Sequence, residues 1–182
     1  MTAAELLSVA AFGDGRFAQA FPSFGSERTG APVVAYCRVA GARIRTREPI
    51  VRPDALIVLD ATLVHQVDLF RGVSSDGYIL VNSSRTFDDL GLSDVVQAHL
   101  ASRVATVPAT ELALTHTGRP VPNAVLLGGF AAMTDVVSLD AVVQAIRARF
   151  TGAVADGNAA AAREAFDLVA RDRKALTRAP TT

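Results

Sequence analysis

Residues Pro53–Asp60 read PDALIVLD, an apolar run closed by an aspartate at each end. No polar residue interrupts it at alternate positions, so the run suits a strand covered on both faces, as in a parallel sheet. Gly77–Asn82 (GYILVN) repeats the form and ends on an amide, and Arg103–Val107 (RVATV) supplies a third run. Between the first two, Thr62–Phe70 is long enough for a crossover helix, completing a βαβ unit. Pro108 then stands at the first position of a helix that continues through Leu114. These runs predict an α/β fold: an open, mostly parallel sheet with helices on both faces.

Upstream, TAAELLSVAAF places Ala3, Leu6, Leu7 and Ala10 at helical spacing. Thr2 and Glu5 have the spacing of a capping box, so a helix is expected over Ala3–Phe12. Gly13 and Gly15 end it, and Arg16–Phe21 alternates as a short strand. Val33–Val39 is β-branched and aromatic, and alternation resumes after Gly41 in GARIRT, so these two segments are expected to pair as a β-hairpin. Downstream of Pro122 the chain turns helical. NAVLLGGFAAMTDVV comes first, then LDAVVQAIRARF behind Ser138 as N-cap, then a last helix from the Ala159–Ala162 run. Gly152 and Gly157 are read as separating the last two helices. Asn123 and Asn158 are read as helix starts. The whole, residues 1–182, is expected to be a single domain with a helical C-terminal third. A doubly wound domain ordinarily opens on a strand whose glycine turn feeds the first helix, whereas this chain begins at that helix, so two readings stand: the first strand is supplied differently, or the true start lies upstream.

Composition narrows the chemistry. Of 182 residues, half are hydrophobic, and 18 basic side chains balance 18 acidic ones. That balance gives no support to nucleic-acid or membrane-surface binding, and the basic tail Arg171–Arg178 reads as a solvated helix end. The one cysteine, Cys37, can form no internal disulfide and cannot supply the thiolates of an iron–sulfur cluster. With no signal peptide or membrane span, the protein is expected to be cytoplasmic. His65, His99 and His116 fall at no metal-ligand spacing. No nucleophile elbow or phosphate loop is present. Asp60 and Asn82 end consecutive strands at the carboxyl edge, where open α/β sheets hold ligands, and either capping or ligand contact suits them.

The polar corner before the Val33 run is the remaining candidate site. Pro22, Gly25, Gly30 and Pro32 fix or free the backbone, while Ser23, Ser26, Glu27, Arg28 and Thr29 present donors and acceptors. A structural turn and a ligand or partner platform both fit these residues. The string around it, FPSFGSERTGAPVVAYCRV (Phe21–Val39), resembles the gamma subunit or gamma domain of the pyruvate:ferredoxin oxidoreductase class of 2-oxoacid:acceptor oxidoreductases. In that family a P-S-F-G-x-E-R-x-G-A-P core precedes an apolar strand. The resemblance continues through TAAELL, Pro53–Asp60, GYILVNSS (Gly77–Ser84), VPAT (Val107–Thr110), PNAVLLGGF (Pro122–Phe130) and Asn158. The E-R-x-G-A-P form is nearer the pyruvate-like branch than the 2-oxoglutarate-like one. Met1 stands where the family has a G-x-G-G-Q-G turn, and Thr29 where it often has a second arginine.

The resemblance implies an oxidative decarboxylation of a 2-oxoacid to acyl-CoA, with thiamine diphosphate and Mg2+ held by alpha and beta subunits. It also implies iron–sulfur clusters on a ferredoxin-like subunit, and ferredoxin or a pyridine-nucleotide module as electron acceptor. This chain is then expected to bind no cofactor alone, to carry no catalytic residue, and to shape the coenzyme A side of the active site. Ser23, Gly25, Ser26, Glu27, Arg28, Thr29 and Asn123 are the residues expected to contact coenzyme A or a neighbouring subunit. A self-standing ligand-binding protein or small nucleotide-dependent enzyme, working at Asp60 and Asn82, is the competing reading.

Overall fold

The computed structural model of the protein describes residues 2–23, 33–66 and 68–178. Helix α1 (Thr2–Gly13) buries Leu6, Leu7 and Ala10 of the apolar stripe read from the sequence, together with Ala11, while Ala3 is half-buried. Gly15 adopts a left-handed φ of 74°, which turns the chain directly into β1 (Phe17–Pro22). Strand β1 pairs antiparallel with β2 (Ala35–Ala40), from Phe17 opposite Ala40 to Pro22 opposite Ala35. A hairpin exists, then, but its partner is β1, and residues 41–46 form no strand. Burial explains the choice. Ala18, Cys37 and Val39 pack against the main core through this pairing, whereas the 41–46 stretch offers only Ile44 for partial burial and is otherwise exposed. The chain just beyond it is held to the hairpin by Arg38 Nη2, which donates to the Glu48 carbonyl at 2.6 Å.

The three apolar runs form the expected parallel sheet. Its strands are β3 (Ala55–Val58), β4 (Tyr78–Asn82) and β5 (Val104–Val107), in the order β3-β4-β5. Side chains alternate across it as a pleat requires. Ala55, Ile57, Leu80, Ala105 and Val107 meet the main core, while Leu56, Val58, Ile79, Val81 and Val104 meet a second cluster on the opposite face. That second face is thinner than anticipated. The crossover helix over Thr62–Phe70 is confined to a 3₁₀ turn, Ala61–His65, because β-branched Thr62 and Val64 are weak helix formers. Val64, Leu69, Phe70 and Val73 reach the sheet from this turn and the loop that follows. Phe87, Leu90, Leu92 and the short helix α2 (Ser93–Ala98) complete the cover.

Helix α3 (Ala109–Thr117) follows β5, with Pro108 as its N-cap residue rather than its first helical one. The helical third is α4 (Asn123–Thr134), α5 (Leu139–Arg149) and α6 (Gly152–Arg178). Every residue of α4 from Ala124 to Met133 is buried, so it is the central helix of the core. Its approach to α6 depends on Gly128, where a Cβ would lie 1.8 Å from the Ala162 carbonyl oxygen. Ser138 caps α5 as expected, accepting from the Ala141 N–H at 3.1 Å. Its own hydroxyl donates to Asp14 Oδ1 at 2.8 Å, tying the helix start to the end of α1.

Two expectations about the last helix are corrected. Gly157 does not separate helices but lies inside α6, where a Cβ would come within 2.3 Å of the His116 carbonyl; glycine lets α6 pass close to the end of α3. Asn158 likewise starts nothing. It is buried in α6 and satisfies its amide by donating to the Val154 carbonyl at 2.8 Å. Among the described residues, no helix is long and apolar enough to cross a membrane.

Candidate functional site

The carboxyl edge of the parallel sheet is organised by Asn82, the last residue of β4. Its Nδ2 donates to the Leu59 carbonyl and to Thr110 Oγ1, each at 2.8 Å, and its Oδ1 accepts the Thr110 backbone N–H at 3.1 Å. One amide therefore joins the end of β3, the end of β4 and the first turn of α3. A carboxamide suits the position because it donates from one side and accepts on the other. The Thr110 N–H belongs to the first turn of a helix, which has no intrahelical partner for it. Ser83 extends the link, its N–H donating to the Val107 carbonyl at 2.9 Å.

Asp60 occupies the same edge, after β3. It is the N-cap of the 3₁₀ turn, accepting from Thr62 Oγ1 at 2.7 Å and from the Thr62 N–H at 2.9 Å. Those two hydrogen bonds, the hydroxyl first, hold its carboxyl below the ordinary carboxylate range. Capping is thus the role its contacts define. The loop beyond Asn82 is locked in a similar way. Asp89 accepts from Thr86 Oγ1 at 2.8 Å and the Thr86 N–H at 3.2 Å, and these bonds lower its pKa too.

Of the corner residues, Ser23 is described. Its N–H donates to the Val34 carbonyl at 2.9 Å, one step beyond the last pair of the hairpin. The corner is therefore the connection between β1 and β2. Gly25, Ser26, Glu27, Arg28 and Thr29 lie outside the described residues. Val33, the first described residue beyond them, is 85 % exposed, and Val34 is 44 % exposed. Asn123 is the first residue of α4 and half-buried. No hydrogen bond among the described residues joins it to Ser23 or to the Asn82 group.

The histidines are held by separate elements. His116 Nε2 lies 2.7 Å from Glu164 Oε2, linking α3 to α6, and His99 Nδ1 lies 2.8 Å from the Val95 carbonyl. Among the described residues no three His, Cys, Asp or Glu side chains come together as metal ligands. Cys37 faces the core, and burial pushes its thiol up to about 11. A lone, protonated thiol does not fit an iron–sulfur cluster. Sequence reasoning placed Asn82 at the edge but missed Thr110 as its partner. The signal was available in the adjacency of Pro108 and Thr110 at a helix start.

The chain belongs to the pyruvate ferredoxin/flavodoxin oxidoreductase family, whose model matches residues 1–168. Within it, the chain is a gamma-type subunit of an oxidoreductase. It is 43 % identical over 167 residues to pyruvate synthase subunit PorC of Methanothermobacter marburgensis, covering 92 % of this chain and 89 % of that one. It is 40 % identical over 167 residues to the pyruvate/ketoisovalerate oxidoreductases common subunit gamma of Pyrococcus abyssi, covering 92 % of this chain and 89 % of that one. The crystal structure of pyruvate oxidoreductase subunit PORC from Thermotoga maritima superposes with a TM-score of 0.73 at 31 % identity, covering 91 % of this chain and 87 % of that one.

Proposed function

We propose that the chain serves as the gamma subunit of a thiamine diphosphate-dependent 2-oxoacid:acceptor oxidoreductase. The reaction converts a 2-oxoacid and coenzyme A to acyl-CoA and CO2, passing two electrons to an acceptor. The family match over residues 1–168 carries this reading. A supporting role on this chain agrees with a carboxyl edge whose polar groups bond to one another, Asn82 to Thr110 and Asp60 to Thr62. Thiamine diphosphate with Mg2+, on alpha and beta subunits, would supply the stabilised carbanion. A ferredoxin-like subunit would carry the clusters and hand electrons to ferredoxin or a pyridine-nucleotide module.

The substrate is a pyruvate-like, aryl or branched 2-oxoacid. The relative from Pyrococcus abyssi is named as common to pyruvate and ketoisovalerate oxidoreductases. A subunit shared by two enzymes does not discriminate their substrates, so selection falls to other chains here as well. The role of this chain is to pack against the catalytic subunits in the cytoplasm and to shape the coenzyme A side of the site with Ser23, Gly25, Ser26, Glu27, Arg28, Thr29 and Asn123. The test is to purify the tagged chain from its own cells and identify what co-elutes on size exclusion. Thiamine-binding and iron–sulfur chains in the same peak are the expected result. A peak containing this chain alone would overturn the reading.

A further inference from the structure

Charge is balanced over the whole chain but not along it. Residues 38–52 carry Arg38, Arg43, Arg45, Arg47 and Arg52 against the single acid Glu48. Arg43, Arg45, Arg47 and Arg52 are all exposed, while Ile44 and Ile50 between them are half-buried. The ion pairs of the described residues lie elsewhere, on Arg103, His116, Arg147, Arg163 and Arg173, and none neutralises this segment.

The segment is also held in place. Arg38 Nη2 donates to the Glu48 carbonyl at 2.6 Å, and the Arg38 guanidinium lies 5.3 Å from the Phe21 ring centroid. With its amide turned so that nitrogen and oxygen each face a complementary group, Gln19 donates to the Thr46 carbonyl at 2.7 Å and accepts from Arg47 Nε at 3.3 Å. Both anchoring residues stand on the hairpin, directly paired across it as Gln19 opposite Arg38. A concentrated, unneutralised positive charge on a fixed backbone costs self-repulsion in the free subunit and is relieved by a surface of opposite sign. Guanidinium groups favour carboxylates in particular, through paired hydrogen bonds.

We infer that residues 38–52 are a docking surface for an acidic, carboxylate-rich face of another protein subunit. The inference rests on the proposed membership of a multisubunit complex and adds the face used and the chemistry of the partner. Screening makes the contact salt-sensitive, since the arginines are exposed.

The experiment compares the tagged full chain, wild type, with R43E/R45E/R47E and with a charge-matched control, R71E/R119E/R163E, each expressed in its own cells. The complex is immobilised through another subunit and washed with rising NaCl. Equal thermal melts establish that the exposed changes leave the fold intact. Retention of the R43E/R45E/R47E chain is expected to fall at least ~10-fold near 0.15 M salt, with the control retained like wild type. Equal retention of both variants and wild type, or equal loss of both variants, would overturn the inference. So would binding of a labelled single-stranded 20-mer that disappears in R43E/R45E/R47E while complex retention is unchanged, which would assign the surface to nucleic acid. If the wild-type chain itself joins no complex, the proposed function fails first, and that outcome is distinct from a variant that assembles normally.

Discussion

The Asn82 side chain holds Thr110 at two points, accepting its backbone N–H at 3.1 Å and donating to its hydroxyl at 2.8 Å. Because the same amide also reaches the Leu59 carbonyl, its removal strands groups on two neighbouring elements. Asn82→Ala is expected to cost ~1–3 kcal/mol, the penalty for leaving partly buried polar groups unpaired. Thermal unfolding of the full chain would register this as a fall of about 2–12 °C. Asn82→Asp should be worse near neutral pH than in mild acid, since a carboxylate cannot donate to the Leu59 carbonyl and its protonated form can. An unchanged melting temperature for both variants would show that the edge does not depend on this amide.

Cys37 gives a pH prediction with a definite sign. Its thiol ionises at about 11 in the folded chain against an ordinary 9.0, because burial disfavours the thiolate. Between those values the native state keeps a proton that the unfolded state has lost, so stability falls as pH rises from 9 to 11. A Cys37→Ala chain should show a shallower decline over that window. At pH 8 native Cys37 should alkylate slowly with iodoacetamide and rapidly once denatured, followed by intact mass. Equal rates in both states would mean the thiol is accessible and reactive.

How far the sequence could be read follows from what each residue's neighbours decide. The parallel strands were legible because DALIVL, GYILV and RVATV are apolar on both faces, a pattern few other elements produce. The Ser138 cap was legible for a similar reason, since its partner lies three residues away. The hairpin partner was not. Residues 41–46 alternate as well as β1 does, and only the packing of Ala18, Cys37 and Val39 on the core distinguishes them. Gly157 and Asn158 were misread because both are turn formers in isolation. Their use inside α6 depends on the passing end of α3 and on the Val154 carbonyl. At the candidate site, Asn82 was visible as a strand-ending amide, whereas its pairing with Thr110 spans 28 residues and is a property of the assembled sheet.

For the corner, the proposed role makes Arg28 the informative residue. Arginine binds phosphate or carboxylate oxygens in pairs, and a desolvated contact of that kind is worth ~2–5 kcal/mol. In the assembled complex, Arg28→Ala is expected either to weaken assembly or to raise the Michaelis constant for coenzyme A at least ~10-fold, with that for the 2-oxoacid little changed. Arg28→Lys, which keeps the charge and loses the planar fork, should recover only part of the effect. Normal assembly with unaltered coenzyme A dependence would reduce the corner to a turn between β1 and β2.

The most direct test of the account is the activity of the complex purified through this chain. A panel of 2-oxoacids, including pyruvate and branched and aryl analogues, is assayed for reduction of a viologen dye with and without coenzyme A. The account predicts rapid reduction with at least one 2-oxoacid, dependent on coenzyme A, and acyl-CoA formed in step with the reduced dye at one acyl-CoA per two electrons. A complex that purifies intact yet reduces no dye with any 2-oxoacid, or does so without forming acyl-CoA, would contradict it.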